Sequence, residues 1–449
     1  MRVCFFSHES ILWSPEKSPA VALIFSDVKG FNVMSYLCLG LVALLFILVF
    51  VNFSWAAKFQ KMILREPPHC SEENLPPAVV LLAMRGADPF LPDCLNGLVN
   101  QEYPNYDIKI IIDSEQDPAA AVVADFMKSY SGNNVEVQYL VDPLTTCSLK
   151  VSALIQAIQQ LDTRYEFVTV LDADVITEPD WLRSLVTPLV HNPESAASSG
   201  IRWFMPEKRE LGNMVRRHWN IGAIIQMYLF QIPWGGSLCI RRSFFEEGNL
   251  LEHWSHCLCE DTPLAGALQK SGRQLETVPE ALMINRESTN LSSAIRFIGR
   301  QLLFAQLYHP RWFSVMLPGI LNAVVPLISL GVFVAGVSQG DRLAWLLPGA
   351  IIAQNLSVLL QATFTGRIVK KRLVAEGIAV RKSVFDRKTF TAAFVAVFTH
   401  FWGVVRPLWI RQIEWRGITY RRTRGKQFDL VEYTPYQPDG EEGLAEVSI

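Results

Sequence analysis

The segment Val168–Trp181, VTVLDADVITEPDW, decides how the rest of the chain is interpreted. It continues a short run of apolar, β-forming residues that predicts a buried strand from Phe167 to Leu171. Two carboxylates, Asp172 and Asp174, follow at the carboxyl end of that strand. Residues two apart in a strand point to the same side, so both can face a Mg²⁺ or Mn²⁺ ion that carries phosphates. Taken alone, the pair is equally compatible with a solvated turn rich in aspartate.

Around this segment, predicted strands and helices alternate. The other strands are predicted at Ala78–Met84, Asp107–Asp113 and Val135–Val141, and the helices at Pro92–Gln101, Ala119–Tyr130 and Leu149–Leu161. Such alternation predicts an α/β fold with a doubly wound, mostly parallel sheet over residues 75–290. Ligands of such sheets bind at the carboxyl ends of the strands, which is where Asp113 and Asp172 both lie.

Membrane segments are predicted on both sides of this domain. Half of the 449 residues are hydrophobic and the mean hydropathy is +0.20, and the apolar residues are segregated into long runs. Residues 31–55 predict a first transmembrane helix, which is too long for a signal peptide and has no small-residue cleavage site after it. The later segments are an amphipathic interface helix at 291–312, transmembrane helices at 313–338 and 343–364, and a transmembrane or re-entrant segment at 389–410.

The distribution of basic residues predicts the orientation. The loop 367–388 and the tail 411–449 are both rich in Lys and Arg, which indicates that both are cytosolic. The segment between them holds His400 and Arg406, which are costly in lipid, so we expect it to be re-entrant. The chain is therefore predicted to be a multi-pass integral membrane protein with a cytosolic α/β domain, at the inner membrane if it is bacterial. Residues 1–30 carry no strong pattern and are treated as an N-terminal extension.

Charge and cysteine usage exclude other classes. The formal net charge is −2, which gives no indication of nucleic-acid binding. The eight cysteines are scattered, so we expect buried, reduced thiols rather than a disulfide framework. His253, His256, Cys257 and Cys259 fit no common zinc spacing.

Several short motifs together resemble one family. Gln101-Glu-Tyr-Pro104 precedes the strand that ends in Asp113, and Glu260-Asp261 lies downstream of the paired aspartates. The tail contains Ile413-Glu-Trp-Arg-Gly-Ile-Thr-Tyr420. In these features the chain resembles membrane-bound family 2 type glycosyltransferases with a GT-A fold, and within them the ceramide glucosyltransferase-like branch. The similarity covers residues 75–312 and, less fully, the tail.

The resemblance implies roles for individual residues. It implies Asp261 as the catalytic base, and Asp172 and Asp174 as ligands of a Mg²⁺ or Mn²⁺ ion on the nucleotide diphosphate. The remaining residues implied in binding the nucleotide-sugar are Asp113, with Glu115 as a neighbouring alternative in register, and Lys150 and Arg300. On the acceptor side the candidates are Trp234, Gly236 and Glu260.

One motif departs from the family pattern. Where relatives carry (Q/R)xxRW, this chain has Arg300-Gln-Leu-Leu-Phe304, so the second basic residue is replaced by Leu303. This departure weakens the case for processive synthesis, in which the motif grips a growing chain. We therefore expect inverting, metal-dependent transfer of a single, glucose-like sugar from a UDP-sugar to the hydroxyl of a membrane lipid. A processive polysaccharide synthase and a catalytically silent membrane scaffold are the alternatives.

Overall fold

The computed structural model describes residues 32–68, 70–71, 75–378, 380, 387–423 and 425–436. The predicted N-terminal extension and the end of the tail beyond residue 436 lie outside the described residues. The described residues fall into two compact units, one within residues 1–50 and 324–356 and the other within residues 51–323 and 357–449.

The larger unit is built on a seven-stranded sheet with the order β3-β2-β1-β4-β6-β5-β7. The strands are β1 Ala78–Met84, β2 Tyr106–Ile112, β3 Val135–Tyr139, β4 Phe167–Leu171, β5 Ser195–Phe204, β6 Ser237–Arg241 and β7 Gln274–Asn285. All neighbouring strands are parallel except at β6, which is antiparallel to both β4 and β5. The prediction of a doubly wound, mostly parallel sheet is therefore confirmed.

Helices cover both faces of the sheet. They are α2 Leu91–Val99, α3 Pro118–Ser129, α4 Leu149–Gln159, α5 Trp181–His191, α6 Leu211–Phe230, α7 Ser243–Glu247, α8 Leu250–Trp254, α9 Asp261–Lys270 and α10 Leu291–Tyr308. One core cluster includes the buried face of α4, and another includes those of α2, α3 and α5. Every residue of β1 and β4 is buried, as expected for central parallel strands enclosed on both faces.

Strand register brings distant residues to one edge of the sheet. Ala78 at the start of β1 pairs with Tyr106 of β2 and with Phe167 of β4, so these three strands run nearly level. Their carboxyl ends are followed by Arg85, Asp113 and Asp172. Strand β1 lies between β2 and β4 in the sheet. The chain adds β2 and β3 on one side of β1 and then β4 on the other side, so the strand order reverses at this edge.

Long apolar helices flank the sheet domain in sequence. They are α1 Val33–Ile63, α11 Trp312–Ser338, α12 Leu346–Ala375 and α13 Arg387–Val405. Four helices of the described residues, extended in two cases by a short 3₁₀ turn, are long and apolar enough to cross a membrane. In the smaller unit, the hydroxyl of Ser35 donates to the carboxylate of Asp341 at 2.6 Å. Cys38, Ala344 and Leu347 form its small buried core.

Two helix bounds differ from the sequence prediction. The amphipathic helix α10 ends at Tyr308, and a new helix begins at Trp312. Helix α12 continues to Ala375, so the basic residues from Arg367 to Arg372 are helical rather than part of a loop. Arg372 donates to the carbonyl of Ile63 and to Glu280, which fixes this end of the helix, and Gly377 with φ +81° allows the chain to turn away.

The described part of the tail is folded. Strands β8 Gln412–Trp415, β9 Ile418–Arg422 and β10 Phe428–Leu430 form an antiparallel sheet. Ile418 and Tyr420 alternate toward the domain core and are buried with Phe428. The segment predicted only as a basic tail therefore packs on the sheet domain.

The cysteine prediction is confirmed within the described residues. All seven described cysteines are free and buried, and burial raises the pKa of Cys147 and Cys257 to about 12. Such thiols are inert packing groups rather than nucleophiles.

Candidate active site

A cleft of about 1150 Å³ lies at the carboxyl edge of the sheet. Of the residues predicted for the site, those that line the cleft are Asp113, Lys150, Asp172, Asp174, Trp234, Gly236, Glu260, Asp261 and Arg300. Glu115 does not line the cleft, because it lies in the turn after β2 and its side chain is exposed. The predicted residues that line the cleft come from six separate parts of the sequence, so the fold assembles them.

Lys150 bridges two carboxylates at the floor of the cleft. Helix α4 begins at Leu149 after Ser148, whose hydroxyl accepts from the backbone N–H of Val151, and this cap places Lys150 in the first turn. The ammonium group lies 2.5 Å from Asp172 Oδ1 and 2.6 Å from Glu260 Oε1. Burial opposes the ionisation of Asp172, but the Lys150 ammonium holds the pKa of this carboxyl below its usual range.

Glu260 lines the charged cleft and is almost fully buried. Its side chain is only 3% exposed and its carboxylate contacts Lys150. Burial raises the pKa of Glu260, and Lys150 offsets part of that effect. The sequence analysis predicted Glu260 on the acceptor side, and the structure places it beside the charge pair of Lys150 and Asp172.

Asp174 has an unused oxygen. Its Oδ2 accepts weakly from the amide of Asn285 at 3.3 Å, and its Oδ1 is buried without a hydrogen-bond partner. Burial, together with the neighbouring Asp172, raises the pKa of Asp174 to about 7. An orphaned carboxylate oxygen beside a second carboxylate is the environment that a divalent cation relieves.

The donor set fits a hard divalent cation that brings its own ligands. Within the described residues, no group of three or more His, Cys, Asp or Glu side chains is arranged to hold a metal by itself. Mg²⁺ and Mn²⁺ are commonly bound by one or two carboxylates and completed by substrate phosphates and water. Asp172 and Asp174 would supply the two carboxylates.

Asp261 lies at the first position of helix α9, where its orientation is fixed. Its Oδ2 accepts from the backbone N–H of Gly235 at 3.0 Å, and its Oδ1 accepts from the backbone N–H and hydroxyl of Thr262. These bonds hold one carboxylate at the wall of the cleft without a cationic partner among the described residues.

Two glycines allow the backbone to approach these acids. A Cβ on Gly235 would lie 2.0 Å from Glu260 Oε1, and a Cβ on Gly236 would lie 2.6 Å from Asp172 Oδ2. A side chain at Gly235 would displace the Glu260 carboxylate, and one at Gly236 would collide with the Trp234 ring, 2.3 Å away, as well as with Asp172. The prediction that Gly236 belongs to the site thus has a steric reason.

Besides Arg85, three arginines line the cleft. Arg300 was predicted, whereas Arg202 on β5 and Arg416 in the tail were not. Burial and the neighbouring charges of Arg202 and Arg416 lower the pKa of Arg300 to about 10. Arg300 stacks on Trp415 at 5.2 Å, and Arg202 stacks on Trp234 at 5.2 Å. Clustered cations that repel one another are suited to binding an anion.

The altered (Q/R)xxRW segment keeps an aromatic contact. Leu303 is 2% exposed and belongs to the core, so this position does not face the cleft. Phe304 lines the cleft and lies 6.1 Å from the ring of Trp415. Helix α10 carries no second cation at this position, and the cleft receives further arginines from other elements, Arg202 of β5 and Arg416 of the tail.

Asp113 forms one end of the cleft. It is paired with the guanidinium of Arg85, and the hydroxyl of Tyr433 donates to its Oδ2 at 3.2 Å. Its Oδ1 is buried and lacks a hydrogen-bond partner. Burial raises the pKa of Asp113, and Arg85 opposes this shift. The unused oxygen leaves room for a hydrogen-bond donor of a ligand.

A second, more apolar cavity of about 900 Å³ adjoins the cleft. The two share Arg202, Trp234, Asp261 and Gln301, so the Asp261 carboxylate stands on their common wall. The second cavity is otherwise lined mainly by apolar side chains of α6, the segment that follows it, and the helices α10 and α11; examples are Ile224, Met227, Tyr228, Ile232, Leu302 and Val315. Of two neighbouring tryptophans, Trp219 lines this cavity and Trp203 does not.

The fold is an α/β sheet domain with a charged cleft and an adjoining, more apolar cavity. The model of glycosyl transferase family 21 matches residues 37–428, and the chain belongs to that family. The predicted resemblance to membrane-bound, GT-A type glycosyltransferases is confirmed at this level.

Individual relatives are more distant. The chain is 28% identical to a poly-β-1,6-N-acetyl-D-glucosamine synthase of Staphylococcus epidermidis over 142 residues, which is 32% of each protein. It is 21% identical to ceramide glucosyltransferase 1 of Caenorhabditis elegans over 237 residues, 51% of this chain and 50% of that protein. The chain thus spans about a third to a half of the length of these curated relatives.

The comparison with solved structures gives distant similarities. The mannosyltransferase PcManGT from Pyrobaculum calidifontis, in complex with GDP-Man and Mn²⁺, aligns with 82% of this chain and 99% of its own, at 14% identity and a TM-score of 0.43. This similarity is too distant to transfer a ligand or a residue role.

Proposed function

We propose that the protein transfers a single sugar from a UDP-sugar to the hydroxyl of a membrane lipid, with inversion at the anomeric carbon and with a divalent cation. The observation that carries this proposal is the position of Asp261 on the wall shared by the charged cleft and the apolar cavity. A donor in the cleft and an acceptor in the cavity would meet at that carboxylate.

The cleft suits the diphosphate of the donor. When bound to Asp172 and Asp174, Mg²⁺ or Mn²⁺ would neutralise the charge that develops on the leaving diphosphate. Lys150 keeps Asp172 ionised, and Arg202 and Arg300 present further positive charge to the same space. Asp113 stands at the far end, where its unused oxygen would accept from a hydroxyl or N–H of the nucleoside.

Asp261 suits the acceptor hydroxyl. In an inverting transfer the acceptor oxygen attacks the anomeric carbon, the bond to the diphosphate breaks, and the hydroxyl proton passes to a base on the attacking side. The hydrogen bonds from Gly235 and Thr262 aim the Asp261 carboxylate without neutralising it. This residue would therefore accept the proton.

The apolar cavity suits a lipid. Its walls include α11, which is one of the helices long and apolar enough to cross a membrane, so the cavity reaches the end of a candidate span. We place the α/β domain on the cytosolic side of the membrane, where the basic residues of α12 and the tail favour it. A lipid headgroup could then enter the cavity while its chains stay in the bilayer.

The direct test uses purified protein in detergent, a panel of UDP-sugars and a lipid extract, with UDP release as the readout and mass spectrometry of the products. We expect UDP release that depends on the lipid, a product with one added sugar, and loss of activity after EDTA that returns with Mg²⁺ or Mn²⁺. A polymer product would instead support a processive synthase. No UDP release with any donor or acceptor would favour a non-catalytic scaffold.

The acceptor assignment predicts the effect of filling the cavity. Ala223 lines the apolar cavity but not the charged cleft. We expect Ala223→Leu to lower kcat/KM for the lipid by about tenfold or more, since a larger side chain takes space that the acceptor needs, and to leave KM for the donor unchanged. The control is Ala121→Leu, which adds the same bulk on the exposed side of α3. A rise in donor KM of the same size would contradict the separation of the two sites.

A further inference from the structure

The tail contributes a hairpin turn to the cleft. Strands β8 and β9 are joined by Arg416 and Gly417, and Trp415 pairs with Ile418 across the turn. The carbonyl of Arg416 accepts from Arg85 Nε at 3.0 Å, and the backbone N–H of Leu149 donates to the hydroxyl of Tyr420 at 3.2 Å. The turn is thus anchored to the ends of β1 and α4, which frame the cleft.

Arg416 extends into the cleft as a cation without a carboxylate partner. It lines the same space as Lys150, Asp172 and Arg300. Among the residues that the structure describes, Arg416 forms no ion pair with an acidic side chain, and its one described side-chain hydrogen bond is donated to the carbonyl of Arg85. The remaining donors of its planar guanidinium are available to a ligand.

The backbone conformation of the turn disfavours an arginine at position 416. Arg416 has φ +48° and Gly417 has φ +74°, which is the two-residue turn with positive φ at both central residues. Such turns strongly favour Asn-Gly, and a long side chain at the first position is strained. An arginine that the local backbone disfavours is therefore explained better by what its side chain binds than by the fold.

We propose that Arg416 is a donor-binding residue, whose guanidinium contacts the diphosphate of the nucleotide-sugar, and that the tail hairpin is part of the donor site. This inference rests on the proposed function, since it deepens the account of the same cleft. Arginine binds phosphate oxygens with two parallel hydrogen bonds, and Arg416 would do so from the side opposite to Asp172 and Asp174. It would supply positive charge to the cleft, whereas Leu303 of helix α10 is buried in the core.

The test exploits the turn. Arg416→Asn creates the favoured Asn-Gly sequence, so the fold is expected to be retained, while the contact with phosphate is lost. The matched control is Arg421→Asn, which removes the same charge from an exposed position on β9. Binding of UDP with Mn²⁺, and of uridine alone, is measured by calorimetry on the full chain in detergent, and thermal unfolding is recorded for each variant.

We expect Arg416→Asn to bind UDP about 10- to 100-fold more weakly than the wild type, to bind uridine unchanged, and to unfold at no lower temperature than Arg421→Asn. Arg416→Lys keeps the charge without the planar fork and should be intermediate. UDP affinity within twofold of the wild type in Arg416→Asn would overturn the inference. Failure of the wild type itself to bind UDP would instead overturn the proposed donor, so the two failures are distinguishable.

Discussion

Asp261→Asn is expected to lower kcat by about 10²- to 10⁴-fold while UDP binding survives. Positioned general bases contribute rate enhancements of this size, and asparagine cannot take up the proton of the acceptor hydroxyl. The side chain lies on the wall shared by the cleft and the apolar cavity, and it does not contact Lys150 among the described ion pairs. Its loss should therefore affect the chemical step more than the donor.

The measurement combines single-turnover kinetics with calorimetric titration of UDP. Because both oxygens of Asp261 accept hydrogen bonds from backbone N–H groups, an amide at this position meets one of those donors unfavourably. Asp261→Ala avoids that clash and should lose activity to a similar extent. The control is Asp180→Asn, at the exposed N-terminus of α5, where the carboxylate makes no capping hydrogen bond. Equal losses of UDP affinity and kcat in both Asp261 variants would show that the residue binds the donor instead.

The pattern of apolar runs in the sequence was sufficient to predict much of the sheet domain and the acidic residues at the ends of its strands. The strands β1 and β4 are short apolar runs, and an acid at the end of such a run in a parallel sheet must lie at the ligand-binding edge. That reasoning found Asp113, Asp172 and Asp174. Glu115, three residues beyond the end of β2, lies in a turn with its side chain exposed and does not line the cleft.

The arginines of the cleft that were not predicted, among them Arg85 and Arg416, depend on contacts between distant parts of the sequence. Arg85 reaches residues of the tail more than 300 positions away, and Arg416 enters the cleft only because the hairpin packs on the ends of β1 and α4. Neither hydrophobic periodicity nor the spacing of motif residues predicts such contacts. The contact of Glu260 with Lys150 was not predicted for the same reason, since the two residues are 110 positions apart.

Removal of the Lys150 charge is expected to have the largest effect on stability. In Lys150→Met, Asp172 and Glu260 would face each other without the ammonium group that now lies 2.5 and 2.6 Å from them. Breaking a buried ion pair by removing one partner typically costs about 3–5 kcal/mol, because the remaining charge is left uncompensated. The Glu260 side chain is only 3% exposed, so water cannot replace the lost contact.

Lys109 on strand β2 is the control that tests whether burial of the acidic partner causes the loss of stability. Lys109 on β2 is itself 11% exposed and lies 2.7 Å from Glu136, but Glu136 is 59% exposed. Lys109→Met should cost less than about 1 kcal/mol, since its partner stays solvated. Thermal unfolding in detergent should therefore separate the two variants by several degrees, and adding Glu260→Gln to Lys150→Met should recover part of the loss because one buried charge is removed. If the two lysine variants unfolded at the same temperature, the three charges at the floor of the cleft would not act as the coupled unit that holds Asp172 ionised for its cation.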